Sequence, residues 1–212
     1  MTRHNAHKAS LNGLYVITDE KLINETNFEF AIESVLRGGA RIIQYRDKSD
    51  NAEKKLKQAS ALQSLCHKYQ AISIINDDIE LAKAVNADGV HLGKDDANIS
   101  KARQILGQDS IVGVSCYNDI PLALKAQKNL ASYVAFGAIF SSPTKPNTVV
   151  AGLDILLTAR KQLTLPICTI GGISEKNIQQ VIRHGADMAA VISSVFSAKD
   201  IQQATMNLNQ YF

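Results

Sequence analysis

Eight short apolar runs recur along the chain, and a longer segment with helical spacing follows each of them. Within the runs, apolar residues seldom alternate with charged ones, as expected for strands that are buried on both faces of a parallel sheet. Parallel strands need crossover connections, which are usually helices, so this order predicts eight βα units. The predicted strands cover residues 14–18, 41–45, 71–75, 89–92, 111–115, 133–140, 166–170 and 188–192.

The segments between the runs place apolar residues three or four positions apart, and several end in Gly or Asn, as helices often do. Eight βα units in 212 residues predict an α/β protein, a single-domain (β/α)₈ TIM barrel over residues 14–212 after a basic lead-in over residues 1–13. Periodicity alone does not show that the sheet closes, so a doubly wound open sheet is the structural alternative. The predicted helices cover residues 28–39, 51–69, 78–87, 99–107, 119–129, 153–163, 174–185 and 198–210.

Composition excludes several classes of protein. The chain is 45% hydrophobic and 20% charged, which is typical of a globular protein. Its 23 basic and 20 acidic residues leave a net charge of +3 without a basic block, so no nucleic-acid partner is expected. No apolar run approaches about 18 residues and no signal-type segment follows the N-terminus, so we expect no membrane partner and a cytoplasmic protein. The three cysteines, Cys66, Cys116 and Cys168, lack CxxC spacing, which fits a reducing compartment.

Polar residues follow most of the predicted strands directly. The carboxyl ends of the strands of a parallel barrel converge on one rim, which is where the active sites of this fold lie. Gln44, Arg46 and Lys48 alternate with period two, so an extended chain points all three to one side. Two cations and an amide suit a phosphate or pyrophosphate. The alternative is a solvated strand end with ion pairs to Asp47 and Asp19.

Asp77 and Asp96 follow consecutive predicted strands, and neighbouring strands lie about 4.8 Å apart, so both carboxylates can reach one ion. Magnesium is usually held by one or two carboxylates together with waters and substrate phosphate oxygens. The pair therefore indicates a metal–pyrophosphate site. The alternative is that Asp77 or Asp78 caps the following helix, a position that Asp favours.

The loops after the seventh and eighth strands contain Gly171–Gly172 and Ile192–Ser193–Ser194. In these barrels the two loops recurrently form a phosphate cradle, in which backbone N–H groups meet an anion. A tight turn is the alternative meaning of a Gly-Gly pair. His91 lies within an apolar strand, where a hydrogen-bonded core histidine is more common than a catalytic base.

Seven motifs occur in order along residues 14–197 and together resemble the thiamine phosphate synthase family. They are LYVITDE, GARIIQYRDK, IINDDIELAKAVNADGVHLGKDD, VGVSCYN, YVAFGAIFSSPTK, TIGGIS and GADMAAVISSVF. The resemblance implies a TIM barrel that joins a pyrimidine methyl diphosphate to a thiazole phosphate and releases pyrophosphate. Such an enzyme has small phosphorylated substrates as partners, and the resemblance leaves a homo-oligomer open.

The resemblance also implies roles for individual residues, with Arg46, Lys48, Lys145 and Ser115 as the catalytic ones. One magnesium ion would be held by Asp77, Asp96 and the substrate pyrophosphate. The pyrimidine diphosphate would be bound by Gln44, Arg46, Lys48, Asn76, Ser115 and Lys145, and the thiazole phosphate by Ser142, Thr144, Gly172, Ile192 and Ser193.

The chain departs from the family pattern at three places without losing an implied ligand. Lys94 adds a cation near Asp96, Ser142 stands where threonine is common, and residues 116–118 are Cys-Tyr-Asn. Three other functions are alternatives for the same sequence. They are the thiazole tautomerase-like branch, a sugar-phosphate epimerase or isomerase, and a non-catalytic ligand-binding regulator.

Overall fold

Eight parallel strands close into a barrel in sequence order, with the last strand paired to the first. The computed structural model describes residues 11–93, 97–141 and 150–212. Pairing of the first and last strands excludes the open-sheet alternative and confirms the predicted TIM barrel. Within the described residues the strands are β1 (Gly13–Ile17), β2 (Ile42–Tyr45), β3 (Ile72–Asn76), β4 (Gly89–Leu92), β5 (Ile111–Tyr117), β6 (Tyr133–Phe136), β7 (Ile167–Ile170) and β8 (Met188–Val191).

Helices alternate with these strands, and a short 3₁₀-helix, Glu25–Asn27, precedes the first of them. Side-chain oxygens of Asn51, Asp78, Asp119 and Asp200 accept hydrogen bonds from the backbone N–H three residues ahead and so cap four helices. The helices in the described part of the chain are α1 (Phe28–Arg37), α2 (Ala52–Lys68), α3 (Ile79–Ala84), α4 (Ala97–Leu106), α5 (Ile120–Lys128), α6 (Asp154–Gln162), α7 (Ile178–Arg183), α8 (Ser193–Phe196) and α9 (Ile201–Asn209). Among them, none is long and apolar enough to cross a bilayer.

The sixth strand and the segment after β8 differ from the sequence prediction. The sixth strand ends at Phe136 and not at residue 140, although Gly137 N–H still donates to the Tyr117 carbonyl and Ile139 N–H to the Ile170 carbonyl. A Cβ at Gly137 would lie 2.3 Å from the Ile170 carbonyl oxygen. The backbones of these two residues therefore lie very close together where the chain leaves regular strand pairing. After β8 there are two helices, because α8 begins directly at the barrel rim before α9.

The strands bury both of their faces, as the continuous apolar runs predict. On β1, Leu14 and Val16 face the helices, whereas Tyr15 and Ile17 belong to the core inside the barrel. This alternation follows from the period-two geometry of a strand. Most of the inner core is apolar, but two tyrosine hydroxyls are enclosed in it, those of Tyr15 and Tyr133.

Side chains at the amino-terminal end of the barrel bind neighbouring strands together. The Asp88 carboxylate accepts hydrogen bonds from the backbone N–H and the hydroxyl of Ser73, each at 2.8 Å. The Asp187 carboxylate accepts from Ile167 N–H at 2.7 Å and pairs with Arg160. These contacts stabilise the closed sheet at the end opposite to the predicted rim.

Candidate active site

The carboxyl ends of β2 and β3 bring together three predicted site residues, Lys48, Asn76 and Asp77. The Lys48 ammonium lies 2.9 Å from the Asp77 carboxylate. The same carboxylate oxygen accepts a hydrogen bond of 2.8 Å from the Asn76 amide. The side chains of Lys48 and Asp77 are 50% and 54% exposed, so both are open to a ligand from solvent.

The two adjacent aspartates after β3 have different roles. Asp78 caps α3, because its carboxylate accepts from Leu81 N–H at 2.9 Å. Asp77 has a left-handed backbone (φ 61°), and its N–H donates to the His91 carbonyl at 2.8 Å. Its carboxylate therefore does not cap the helix and pairs with Lys48 instead. The capping alternative applies to Asp78, and the role of Asp77 as a metal ligand stays a prediction.

Arg46 is anchored at the rim through its backbone. Its N–H donates to the Thr18 hydroxyl at 2.7 Å, and that hydroxyl donates to the Arg46 carbonyl at 3.1 Å. The guanidinium lies 3.8 Å from the Asp19 carboxylate, a loose ion pair. The Asp47 carboxylate instead forms its ion pair with Lys54, at 2.8 Å. Although burial disfavours its charge, hydrogen bonds from Lys54 and Ser49 lower the pKa of Asp47.

A cavity of about 170 Å³ opens between the loops after β2 and β3. Its lining contains Lys48, Asn76 and Asp77, and also Lys55 from the first turns of α2. The sequence does not mark Lys55 as a site candidate, because it lies within α2 and not directly after a strand. The lining also contains the carboxylates of Asp47, Asp50 and Asp78. Ammonium and carboxylate groups together suit an anion that carries a bound cation.

Gln44 and Ser115 lie deeper and belong to one hydrogen-bonded chain inside the barrel. The Gln44 amide donates to the Tyr15 hydroxyl at 2.8 Å, and the Tyr15 and Tyr133 oxygens are 2.8 Å apart. His91 Nδ1 lies 2.9 Å from the Tyr133 oxygen, and Nε2 lies 2.9 Å from the Ser115 hydroxyl. Sequence analysis missed both tyrosines, and their only signal was a polar group at an inward strand position.

Burial governs the protonation of this chain. It lowers the pKa of His91 to about 4, although the Asp77 carboxylate acts in the opposite direction. Burial also raises the pKa of Tyr15 and of Tyr133 above the usual range. Near neutral pH the imidazole is therefore uncharged and both hydroxyls are protonated. His91 is the hydrogen-bonded core histidine that the sequence favours over a catalytic base.

The loops after β7 and β8 meet at the opposite side of the rim. The Ser194 hydroxyl donates to the Ile173 carbonyl at 2.5 Å, and the Asn177 amide donates to the Gly172 carbonyl at 2.9 Å. Gly172 has φ 63°, and a Cβ there would lie 2.5 Å from the Ser141 carbonyl oxygen. The turn thus requires glycine for steric reasons. Gly172 lies in the loop after β7, and the Ser194–Ile173 hydrogen bond joins this loop to the one that carries Ile192 and Ser193.

Four predicted site residues, Asp96, Ser142, Thr144 and Lys145, lie outside the described residues. In the part of the chain that is described, no three His, Cys, Asp or Glu side chains gather as a metal-binding cluster. Of the two predicted metal ligands, Asp77 is the one that the structure describes, and its carboxylate is half-exposed. This donor fits magnesium, which usually takes one or two protein carboxylates and completes its shell with water and phosphate oxygens.

A closed (β/α)₈ barrel with amide, hydroxyl and charged side chains at the carboxyl ends of its strands has the organisation of a TIM-barrel enzyme. Comparison with known proteins defines the family. The family described as thiamine monophosphate synthase matches residues 14–195. A thiamine-phosphate synthase from Nitrosococcus oceani is 48% identical over 204 residues, which cover 96% of this chain and 94% of that protein.

Two further comparisons agree. A thiamine-phosphate synthase from Thioalkalivibrio sulfidiphilus is 45% identical over 202 residues, covering 95% of this chain and 96% of that one. The solved structure of a thiamine phosphate pyrophosphorylase from Pyrococcus furiosus has a TM-score of 0.87 at 34% identity, over 97% of this chain and 96% of that one. The chain therefore belongs to the thiamine monophosphate synthase family of transferases, and the resemblance found in the sequence motifs is confirmed.

Proposed function

We propose that this enzyme condenses 4-amino-2-methyl-5-hydroxymethylpyrimidine diphosphate with a 4-methyl-5-(2-phosphoethyl)thiazole to give thiamine phosphate and pyrophosphate. The observation that carries the proposal is the convergence of Lys48, Asn76 and Asp77 on one rim cavity. These groups complement a diphosphate with its counter-ion. Family membership over nearly the whole chain supports the same substrate pair.

The reaction exchanges one bond at the pyrimidine methylene carbon. The C–O bond to the diphosphate breaks, and its electron pair leaves with the pyrophosphate. The electron-rich aminopyrimidine stabilises the resulting methyl cation, and the thiazole nitrogen lone pair then forms the new C–N bond. No proton has to be removed by the protein, so the reaction needs no strong base and no protein nucleophile. This requirement agrees with a neutral, buried His91.

The rim side chains supply electrostatic stabilisation for the departing group. Arg46 offers a planar guanidinium and Lys48 a point charge, and both are held within reach of solvent at the end of β2. Charge that grows on pyrophosphate during departure interacts with these preorganised cations more strongly in the transition state than in the substrate. Lys145 is assigned the same role by family resemblance.

Gln44, Asn76 and Ser115 would orient the pyrimidine diphosphate. All three lie at the carboxyl ends of β2, β3 and β5, and Gln44 is 2% exposed in a fixed hydrogen bond to Tyr15. Asn76 is fixed by its bond to Asp77 and Ser115 by its bond to His91. Holding the reacting carbon in one orientation lowers the entropic part of the barrier.

One magnesium ion would be held by Asp77 and Asp96, together with pyrophosphate oxygens. When bound, it neutralises negative charge on the leaving group. The half-exposed Asp77 carboxylate supports this assignment, because its present partner, Lys48, is a cation that a metal ion can replace. Manganese, which favours similar oxygen ligands, is the natural probe for the same site.

The thiazole phosphate would bind at Gly172, Ile192 and Ser193, with Ser142 and Thr144. The contact between Ser194 and Ile173 supports this pocket, because it holds the loops after β7 and β8 together at the rim. Backbone N–H groups of these loops suit an anion. Both proposed substrates are small phosphorylated molecules, and the proposal includes a cytoplasmic location for the enzyme.

The proposal is tested by incubating the purified chain with both substrates and MgCl₂ and identifying the product by mass spectrometry. Thiamine phosphate should form only when both substrates are present. Lys48→Ala should lower turnover, because it removes a cation assigned to the departing pyrophosphate. Its matched control, Lys128→Ala, alters an exposed lysine at the opposite end of the barrel and should keep wild-type turnover. A folded chain that forms no thiamine phosphate from this pair would contradict the proposal.

A further inference from the structure

A continuous hydrogen-bonded chain crosses the inside of the barrel between two residues assigned to the substrate. It joins the Gln44 amide, the hydroxyls of Tyr15 and Tyr133, the His91 ring and the Ser115 hydroxyl, with every separation between 2.8 and 2.9 Å. The five residues come from β2, β1, β6, β4 and β5. Family resemblance assigns roles to Gln44 and Ser115 only, so the middle of the chain has no assigned function.

Tyr133 is held at the centre of this chain by its surroundings. Its ring stacks on His91 with centroids 5.6 Å apart and meets the Tyr15 ring edge-on at 6.0 Å. Gly113 on β5 gives the ring its space, because a Cβ there would lie 2.0 Å from Tyr133 Cζ and 2.3 Å from its oxygen. The Tyr133 side chain is fully buried. Its hydroxyl therefore has a fixed position between Tyr15 and His91.

With Nε2 of the Gln44 amide facing Tyr15, only one direction of donation gives each hydrogen between Gln44 and Ser115 an acceptor. The Gln44 N–H donates to the Tyr15 oxygen, so the Tyr15 hydroxyl hydrogen must donate to Tyr133. The Tyr133 hydroxyl then donates to His91 Nδ1, and the ring donates from Nε2–H to Ser115.

The reverse direction leaves the buried Tyr15 hydroxyl hydrogen without an acceptor among the described residues, which is unfavourable. A doubly protonated His91 requires the same reversal, because Nδ1–H would then donate to the Tyr133 oxygen. The hydrogen-bonding inventory thus selects one neutral tautomer of His91. It also requires that Ser115 accept from the ring, so that its own hydroxyl hydrogen is directed away from His91.

We propose that Tyr133 is a positioning residue, whose hydroxyl couples Gln44 to Ser115 and holds His91 as the Nε2–H tautomer. Ser115 is thereby kept as a hydrogen-bond donor toward substrate oxygens, and the Gln44 amide is held in one orientation. The kinetic consequence rests on the proposed function, since it acts through two residues assigned to the pyrimidine diphosphate. The tautomer does not depend on that function and can be measured without turnover.

The tautomer is tested by ¹⁵N–¹H correlation NMR of the imidazole nitrogens in the intact chain. Five histidines are present, and the His91 signals are assigned by their loss in His91→Asn. The expected result is protonation at Nε2 alone in the wild type near pH 7. In Tyr133→Phe the Nδ1 acceptor loses its donor, so the signals should shift toward a mixture of tautomers. An Nδ1–H tautomer in the wild type, or spectra unchanged by Tyr133→Phe, would overturn the proposal.

Steady-state kinetics test the coupling to the substrate site. Tyr133→Phe keeps the aromatic ring and should lower kcat about tenfold, as loss of an outer hydrogen-bond partner of a functional side chain commonly does. The KM for the thiazole phosphate should stay within twofold of wild type. Tyr69→Phe removes a hydroxyl that binds Glu33 at 2.6 Å on the outer layer of helices, and it should leave kcat unchanged. Wild-type kcat in Tyr133→Phe, or an equal loss in Tyr69→Phe, would overturn the coupling.

A second variant keeps the test decisive if Tyr133→Phe does not fold. Tyr15→Phe removes the hydroxyl that donates to Tyr133 while Tyr133 can still donate to His91. It should therefore lower kcat while largely preserving the Nε2–H tautomer. A switch to the Nδ1–H tautomer in Tyr15→Phe would contradict the direction of donation. If wild-type protein shows the expected tautomer but no turnover, the proposed function fails and the hydrogen-bond direction stands.

Discussion

The Lys48 ammonium and the Asp77 carboxylate lie 2.9 Å apart, although one is assigned to pyrophosphate and the other to its metal ion. In the proposed complex, the metal ion takes the place of Lys48 beside Asp77, and the pyrophosphate takes the place of Asp77 beside Lys48. Binding of a metal ion to Asp77 releases Lys48, and binding of pyrophosphate to Lys48 releases Asp77. This exchange predicts that the metal ion and the anion bind more tightly together than either does alone.

The exchange predicts that Lys48→Ala tightens the binding of Mg²⁺ alone while weakening that of pyrophosphate alone. The gain for the metal should be about two- to fivefold, because a half-exposed ion pair contributes little. Isothermal titration calorimetry measures both affinities, and Lys57→Ala, an exposed residue of α2, is the control. Weaker Mg²⁺ binding in Lys48→Ala would show that the two residues do not compete.

Asp77→Asn should lower turnover about 100-fold and abolish most of the response to magnesium, since the ion that neutralises charge on the leaving group is then bound less tightly. Asn is chosen because it tolerates the left-handed backbone that Asp77 adopts. Asp78→Asn is the matched control, because Asn also caps helices and α3 should persist. Initial rates over a magnesium titration give the result. A wild-type magnesium response in Asp77→Asn with a native melting temperature would remove Asp77 from the metal site.

Burial of His91 predicts a loss of stability in acid. Its pKa falls from the usual value near 6.5 to about 4 on folding, so the unfolded chain binds more protons between these two pH values. The free energy of unfolding should therefore rise with pH through that window and become independent of His91 above it. Each pH unit within it corresponds to about 1.4 kcal/mol. Burial is the main cause of the lowered pKa of His91, and the Asp77 carboxylate partly offsets it.

Urea unfolding at pH 4.5 and pH 7 measures this effect in the wild type and in His91→Gln. The wild type should lose about 2 kcal/mol more than the variant between the two conditions. Other groups with lowered pKa values, such as Glu33, titrate in both proteins and cancel in the comparison. An equal loss in both proteins would show that His91 is not held neutral by the fold.

Ser193→Ala should raise the KM for the thiazole phosphate about tenfold and leave that for the pyrimidine diphosphate unchanged. A lost hydrogen bond to a charged group has roughly that effect. Ser197→Ala, an exposed serine just after α8, is the control. Two-substrate kinetics separate the constants. Equal increases for both substrates would mean that they share one anion site.

The order of strands and the location of the rim follow from the sequence because they depend on local pattern. The continuous apolar runs predict buried strands, and the polar residues at their ends mark the rim where Gln44, Asn76 and Ser115 are found. Closure depends on the pairing of β1 with β8, residues that lie far apart in the chain, so periodicity could not decide it.

The missing part of the site is made of long-range contacts. Tyr15 and Tyr133 are 118 residues apart, and their hydroxyls meet only because the barrel closes and Gly113 leaves space between strands. In either local segment, a polar group at an inward strand position is all that distinguishes such a tyrosine from an ordinary core residue. The pairing of Lys48 with Asp77 likewise depends on side-chain placement across two loops. The sequence supplied the chemistry of these residues but not their partners.

In the proposed reaction, charged side chains of the rim stabilise the pyrophosphate as it leaves. The most direct measurement is the steady-state rate of pyrophosphate release by Arg46→Ala with both substrates varied. Because the guanidinium is assigned to charge that grows during departure, kcat and kcat/KM should fall together by about 100-fold, with KM nearly unchanged. A large rise in KM with wild-type kcat would show that Arg46 only holds the substrate, and would contradict the claim.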